Sequence, residues 1–505
     1  MILKASDAYD VVIVGAGTAG CVLAGRLSED DAVRVLLLEA GAGSVPAACA
    51  NPPDWPTLLH TPANWAGPMA MQAATGTTPL IGRGRGVGGS SAINAMLFAR
   101  GHHDSYAAWS DAGAKGWSFD DLLPYFRRSE TAAHGDPALR GVAGPIVVAP
   151  ADRPNEVLRD LLCGASQRGH RLAADVSGGV ELGFGPADLT IVEGKRHSAA
   201  DGYLADALRR PNLDLVSNAL VHRVILARGR CTGVEYDTGA GPVVVAADEV
   251  ILAAGAIGSP QVLMLSGIGP QAHLRNVGVD VTADLPGVGA NLQDHPLSGI
   301  IYAARRPVPT GTRNHGEIIG LLRSSAATRA APDIQLIFVD TAAVTGVDMP
   351  NSFLIGVSVL LPYSRGSVRL AGPAPDLLPV VDPNYFGDDR DMVTMLEGLE
   401  IARDIGTAPA LKDWRAEEFA PGPEAKDEVA LRSFIQASTT SYFHYAGTCA
   451  IGDTEKSVVD SDLRVHGISG LRVVDASVMP TIPSNNTLAT VYAIAERGAD
   501  LIRQG

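Results

Sequence analysis

A mixed α/β fold, α+β overall, is predicted for this chain of 505 residues: a parallel βαβ unit interleaved with a second domain built on an antiparallel sheet flanked by helices. Three features predict it. The opening YDVVIVGAGTAGCVLAGRLSEDDAVRVLLLEAG runs through an apolar stretch, a glycine turn, a helical stretch and a second apolar stretch, the order of a Rossmann-like unit. Short alternating segments recur without helices between them at 213–217, 221–227, 231–237 and 243–253, and again between 298 and 370. Such a run suggests a second, antiparallel sheet. No linker, repeat or low-complexity tract separates the two patterns, so interleaved domains explain the order better than tandem ones.

A chain of this length exceeds one ordinary core, and 46% hydrophobic with 19% charged residues is the balance of a soluble globular protein. The formal charge of −15, with no basic run to offset it, excludes a nucleic-acid partner. No stretch of about 18 uncharged apolar residues is present, which excludes a membrane span. The first strand begins near Tyr9 and leaves no room for a leader, so a cytoplasmic location is expected. Cys21, Cys49, Cys163, Cys231 and Cys449 are odd in number, scattered and without a CxxC pair, so reduced thiols are expected, with neither disulfides nor a metal site.

Taken in order, the first strand spans 10–14 and delivers Gly15, Gly17 and Gly20 to the turn before a helix at about 18–29. Glycines at that spacing allow a tight turn, backbone approach to a pyrophosphate, and close packing of helix on strand. The second strand, 33–39, ends at Glu39, placed to accept hydrogen bonds from ribose hydroxyls. A dinucleotide is therefore expected here. Residues 43–80 read as loop with short helices over the cofactor. GRGVGGSSAIN (84–94) is too rich in glycine for a helix or strand interior, and points to backbone lying close to a flat or anionic ligand, with Ser90, Ser91 and Asn94 as hydrogen-bonding groups. A strand at 144–150 and a helix at 155–169 follow. The strand 249–255 delivers Gly255 to a helix starting near Ser259-Pro260, with Ser259 as cap. Helices are predicted at 391–405 and 427–438, a strand at 471–475, and a final helix from about Thr487.

VVIVGAGTAG, GRGVGGSSAINAMLFARG, GAIGSPQVLMLSGIG, LPGVGANLQDH, HYAGTCAIG and LRVVDASVMPTIPSNNTLATVYAIAERGADLI, in this order and across nearly the whole chain, resemble the glucose–methanol–choline (GMC) oxidoreductases. Within that flavoprotein family the resemblance is nearest to bacterial aryl-alcohol and hydroxymethylfurfural-oxidase-like members. It implies an FAD-binding domain from 1–150, 195–295 and 450–505, and a substrate-binding domain from 151–194 and 296–449. FAD would be held by Gly15, Gly17, Thr18, Ala19, Gly20, Glu39 and Ala40, and by Arg85, Val87, Gly88, Gly89, Ser90, Asn94, Ala95, Met96 and Leu97. Val224 and Ala254 would lie near its adenosine half, Asp475 and Ala476 near the pyrophosphate and ribityl chain, and Asn486 and Thr487 at the ring, with Gly255 also in contact with the cofactor. Some relatives bond the flavin through a histidine just before the Asn94 position. Ile93 stands there, so non-covalent FAD is expected.

The family's catalytic pair falls on His444 and Asn486, where many relatives have two histidines. A neutral imidazole suits removal of a hydroxyl proton near neutral pH, while a carboxamide orients the oxygen but cannot titrate. The implied reaction is FAD-dependent oxidation of a small primary alcohol, of the activated, aromatic or furanic kind, to an aldehyde by hydride transfer to flavin N5. O2, a quinone or an artificial acceptor would reoxidise the flavin. The helix from Thr487 would set its positive end against the reduced ring. Phe443 or Tyr445 is expected to gate the pocket, Gln335 and Phe338 to wall it, and His295 to be structural. The alternative is a hydroxynitrile-lyase-like member whose FAD is redox silent.

Overall fold

A computed structural model describes residues 8–504. The first sheet contains β1 (Ala8–Val14), β2 (Val35–Leu38), β3 (Leu213–Val216), β4 (Leu220–Ala227), β5 (Arg230–Asp237) and β6 (Pro242–Leu252), in spatial order β3-β2-β1-β6-β5-β4. α1 (Thr18–Leu27) joins β1 to β2, and α2 (Gly255–Leu265) follows β6. β3, β2, β1 and β6 are parallel, and β2 is wholly buried, as a strand between covering helices must be. β6 is 11 residues long and serves two partnerships. Its first half pairs antiparallel with β5, while Val250–Leu252 pair with the late strand Leu471–Val473. The segments 213–253 thus extend the first sheet and do not join a second one. Local alternation could not reveal this, because the partnership depends on the length of β6.

The second sheet is antiparallel, in the order β11 (Arg415–Ala420), β7 (Pro296–Ala304), β10 (Ser352–Val359), β9 (Ile334–Val339), β8 (Ile318–Leu322), with Gly183–Pro186 at the far edge. Thr440–Ser441 pairs with the start of β7. Alternation along these strands divides the side chains cleanly. Ile334, Leu336, Phe338, Phe353, Ile355 and Val357 pack in the main core with Met395 and Leu399 of α3 (Asp389–Gly406). Ile319, Leu321, Ile337, Val339 and Leu354 form a separate cluster on the other face, with Leu97 and Tyr442 packed on it.

The helices predicted at 155–169 and 427–438 are observed as Glu156–Gln167 and Glu428–Ser438. The strand predicted at 144–150 is two short pieces, Ile146–Val147 and Ala149–Pro150. α4 (Leu488–Arg503) is buried along its first two turns and lies on α1, where its buried Glu496 pairs with Arg26 at 2.8 Å and Arg128 at 2.7 Å. A second buried ionic cluster joins residues between 100 and 188. Arg100 meets Glu130 at 2.6 Å, and Arg140 meets Glu130 at 2.8 Å, Asp175 at 2.8 Å and also Asp188. Among the described residues no helix is long and apolar enough to cross a membrane, and all five cysteines are free thiols.

Candidate active site

The carboxyl ends of β1, β2 and β6 open into a trough walled by backbone. Gly15 has φ +102, and a Cβ there would lie 2.7 Å from the Ala253 carbonyl oxygen, so only glycine fits. A Cβ on Gly20 would come within 1.8 Å of the Gly15 oxygen. Glu39, buried at the end of β2, collects three backbone N–H donors: Ala16 at 2.9 Å, Gly41 at 2.8 Å and Gly86 at 2.9 Å. Its carboxylate clamps the first glycine turn and the 84–89 cluster to the strand end, although burial pushes its pKa up against those donors. The Gly88 N–H donates to Ala16 O at 2.8 Å, and a Cβ on Gly89 would lie 2.6 Å from the Gly17 Cα. Contact of backbone with backbone therefore accounts for much of the glycine density that the sequence alone suggests is needed for a ligand.

The residues that keep accessible surface in otherwise buried runs trace the trough: Gly17, Thr18, Ala40, Ala254, Ala476 and Thr487, with Asn94 and Ala95 opposite. α1 and α4 begin there with no side-chain cap and no acidic residue in the first turn. Their leading N–H groups are left for an anionic or acceptor-rich ligand. α2 differs, because Asp475 closes its start by accepting from Gly255 N–H at 2.9 Å and from Ser259 Oγ. Asn94 Oδ1 accepts from Met96 N–H at 3.0 Å and from the buried Arg196 at 2.7 Å. That fixes the amide, and its Nδ2 makes no hydrogen bond among the described residues. Ile93 is buried in an aliphatic cluster with Cys49, Leu58 and Ala63.

At the head of α4 the chain brings His444 and Asn486 together, with Asn486 Nδ2 3.1 Å from His444 Nε2. The backbone N–H of His444 donates to Asp294 at 2.7 Å, and Asp294 also accepts from Tyr385 and Ser441. Burial raises the Asp294 pKa to about 6 against these donors. His444 Nδ1 lies 2.9 Å from His295 Nδ1, and His295 Nε2 lies 3.0 Å from the Leu360 carbonyl oxygen. A carbonyl can only accept, so His295 carries its proton on Nε2. Burial holds the His295 pKa down to about 3, so the ring is neutral and its Nδ1 is a lone pair. His444 must then donate from Nδ1, which leaves a lone pair on Nε2 facing the Asn486 amide. Burial holds the His444 pKa well below the ordinary histidine value. The site thus presents an unprotonated imidazole nitrogen beside an N–H donor, a pair that can receive a hydroxyl proton and hold the oxygen it leaves.

Residues 9–297 match the N-terminal and residues 362–495 the C-terminal GMC oxidoreductase family model. This chain belongs to the GMC oxidoreductase family. Over 98% of its length this GMC oxidoreductase is 38% identical to the oxygen-dependent choline dehydrogenase of Serratia proteamaculans (strain 568), covering 96% of that protein. It superposes on pyridoxine 4-oxidase from Mesorbium loti with a TM-score of 0.94 at 35% identity, covering 98% of this chain and 99% of that one. A fungal aryl-alcohol oxidase matches with a TM-score of 0.87 at 28% identity, covering 99% of each chain.

Several of the residues expected at the site of this GMC oxidoreductase turn their side chains elsewhere. Phe338 points the other way: it lies three positions from Gln335 along β9, so alternation places it in the main core, stacked on Phe184 with ring centroids 5.6 Å apart. Tyr445 is turned into the buried polar knot around Asp294, its hydroxyl 3.1 Å from Ser441 Oγ and 3.4 Å from Gly82 N. Tyr442 stands beside the base instead, with ring centroids 4.4 Å apart. Phe443, at φ +62, packs on Gly82. The Val224 N–H is taken by Ser266 Oγ at 2.9 Å and its side chain is buried in the core. The turn before it is what meets the trough: Ala219 N–H donates to Glu39 O at 2.8 Å and Asn218 N–H to Gly41 O at 2.7 Å. α2 starts at Gly255, so Ser259 lies within the first turns and bonds Asp475. Arg85 sits over the Trp65 ring at 4.8 Å, and Ser90 Oγ accepts from Gly84 N–H at 3.1 Å, both exposed. Met96 and Leu97 are buried. Sequence reading missed His295 as a partner of the base, and the Asn485-Asn486 amide pair was its only visible hint of a second polar chain.

Proposed function

We propose that this chain oxidises a small, neutral primary alcohol to its aldehyde, with His444 as base and Asn486 as the group that holds the reacting oxygen. The observation that carries this reading is the Nε2 lone pair of His444 set 3.1 Å from the Asn486 amide at the uncapped head of α4. The trough suits FAD: backbone N–H groups at the starts of α1 and α4, the Glu39 clamp at the end of β2, and the free Asn94 amide are donors and contacts of the kind a flavin dinucleotide needs. When bound, FAD supplies the acceptor for the hydride that leaves the α-carbon. His444 Nε2 takes the hydroxyl proton, and Asn486 Nδ2 donates to the oxygen as negative charge gathers there. His295, held by Leu360 O, keeps the His444 Nδ1 proton in place throughout. The start of α4 adds positive potential to the same region.

The second face of the antiparallel sheet supports a neutral, apolar-bodied substrate. Leu297, Leu321, Ile337 and Leu354 share it with Gln335 and Ser358, and its central strands contribute no charged side chain there. In this reading the 1–150, 195–295 and 450–505 segments hold FAD and the remainder shapes the substrate side. Ile93 has no nucleophile to offer, so FAD is non-covalent and leaves with denaturation. Anaerobic addition of benzyl-type and furanic alcohols tests the function: bleaching of the flavin band is the expected result. An unreduced flavin together with cyanohydrin cleavage would replace oxidation with lyase chemistry. Peroxide yield compared with dye reduction then assigns O2 or another acceptor.

A further inference from the structure

We propose that Gln335, backed by Asn485, is a positioning residue that gives the Asn486 amide its direction; this rests on the reading of His444 and Asn486 as the reacting pair. A carboxamide beside a histidine is useful only one way round. With Nδ2 toward His444 it offers a donor to a developing alkoxide; reversed, it would set an oxygen lone pair against the imidazole lone pair and repel the same alkoxide.

The direction is fixed by a chain of contacts anchored in backbone at both ends. The Asn486 backbone N–H, which can only donate, meets Asn485 Oδ1 at 3.0 Å, and Asn485 Nδ2 reaches the Val176 carbonyl, which can only accept, at 3.4 Å. These two contacts orient Asn485. Gln335 must then present an N–H to Asn485 Oδ1, and does so from Nε2 at 2.9 Å. The same Nε2 reaches Asn486 Oδ1 at 3.3 Å. With its oxygen engaged there, Asn486 turns Nδ2 toward His444. The histidine side is oriented independently, from Leu360 O through His295. Two chains with separate anchors therefore meet at one contact, one arriving with a donor and the other with a lone pair.

Gln335 bears a cost for this arrangement. It is fully buried on a largely aliphatic face, and its Oε1 has no hydrogen-bond partner; Ser358 Oγ, across the ladder from it, has none either. Turning the Gln335 amide over would place Oε1 against two acceptor oxygens, so the unpaired oxygen is the lesser penalty. A leucine would fill the space without that cost, and what the Gln335 N–H groups do to Asn486 accounts for a glutamine at this position.

A double-mutant cycle on the FAD-loaded full chain tests this, read by the rate of anaerobic flavin reduction with benzyl alcohol. Gln335→Leu should keep FAD and melt near wild type while slowing reduction about tenfold, a typical cost of misorienting a reacting group. Introduced into Asn486→Ala, the same change should slow reduction by less than about twofold, because the residue it acts through is gone. An equal slowdown in both backgrounds would overturn the proposal, as would a wild-type rate in the single variant. Gln335→Met provides the same comparison should the leucine variant not take up FAD. His444→Ala reports separately on the underlying reading: unimpaired reduction there removes the base, whereas additivity in the cycle removes only the role of Gln335.

Discussion

Replacing His295 with leucine removes the acceptor for the His444 Nδ1 proton while keeping an apolar group of similar bulk. The productive tautomer of His444 would then hold an unpaired N–H in a buried position, 2.9 Å from where its partner stood. Leaving a buried donor unsatisfied costs about 1–3 kcal/mol, which corresponds to about 5- to 150-fold in the population of the form with a lone pair on Nε2. Flavin reduction measured by stopped flow under anaerobic conditions should slow within that range, at unchanged FAD content. His295→Gln serves as the control. Its amide can accept from His444 Nδ1 and donate to Leu360 O, so reduction should stay within a few-fold of wild type. A leucine variant that reduces flavin at the wild-type rate would refute the assignment of the tautomer to His295.

Burial leaves both site imidazoles neutral in the fold, and His295 falls from 6.5 to about 3. Below pH 6.5 the unfolded chain binds more protons than the native one, so stability is lost as pH falls. For His295 alone the loss is about 2 kcal/mol by pH 5, readable as a fall in denaturation midpoint between pH 7 and 5 that shrinks in His295→Gln. The depressed His444 pKa gives flavin reduction a plateau through neutral pH, with decline only in acid; a midpoint near 6.5 or above in the pH profile would contradict it. Glu130→Gln removes the anion between Arg100 and Arg140, all three fully buried, and should cost about 3–5 kcal/mol in denaturant unfolding. Choline, a permanent cation, would meet no carboxylate on the substrate-side sheet face and should react at least about 100-fold less efficiently than a neutral benzyl-type alcohol; comparable kcat/KM values would show a cation site elsewhere.

The opening βαβ unit and Glu39 were legible because they are local, carried by glycine spacing and apolar runs, whereas the His444–Asn486 pair, 42 residues apart, was legible only through the resemblance to the GMC family. What could not be read was set by distant pairing. The hairpin at 220–252 shows the alternation of any antiparallel strand, and only the excess length of β6 places it in the first sheet. Phe338 and Gln335 look equivalent in DIQLIFVD, yet a separation of three along a strand puts them on opposite faces. Tyr445 adjoins His444 in sequence, but the left-handed turn at Phe443 and the Asp294 knot send it away. His295 lies 149 residues from His444, and Gln335 lies 151 from Asn486, so both hydrogen-bond chains exist only once distant parts of the chain have folded together. The glycine cluster is legible as a site of close approach, and backbone of the first glycine turn is one of the neighbours that approach it.

The most direct measurement is anaerobic flavin reduction by a benzyl-type alcohol in FAD-loaded His444→Ala. Loss of a positioned base predicts a rate at least about 100-fold below wild type with the flavin spectrum intact; reduction at the wild-type rate would show that the proton leaves by another route.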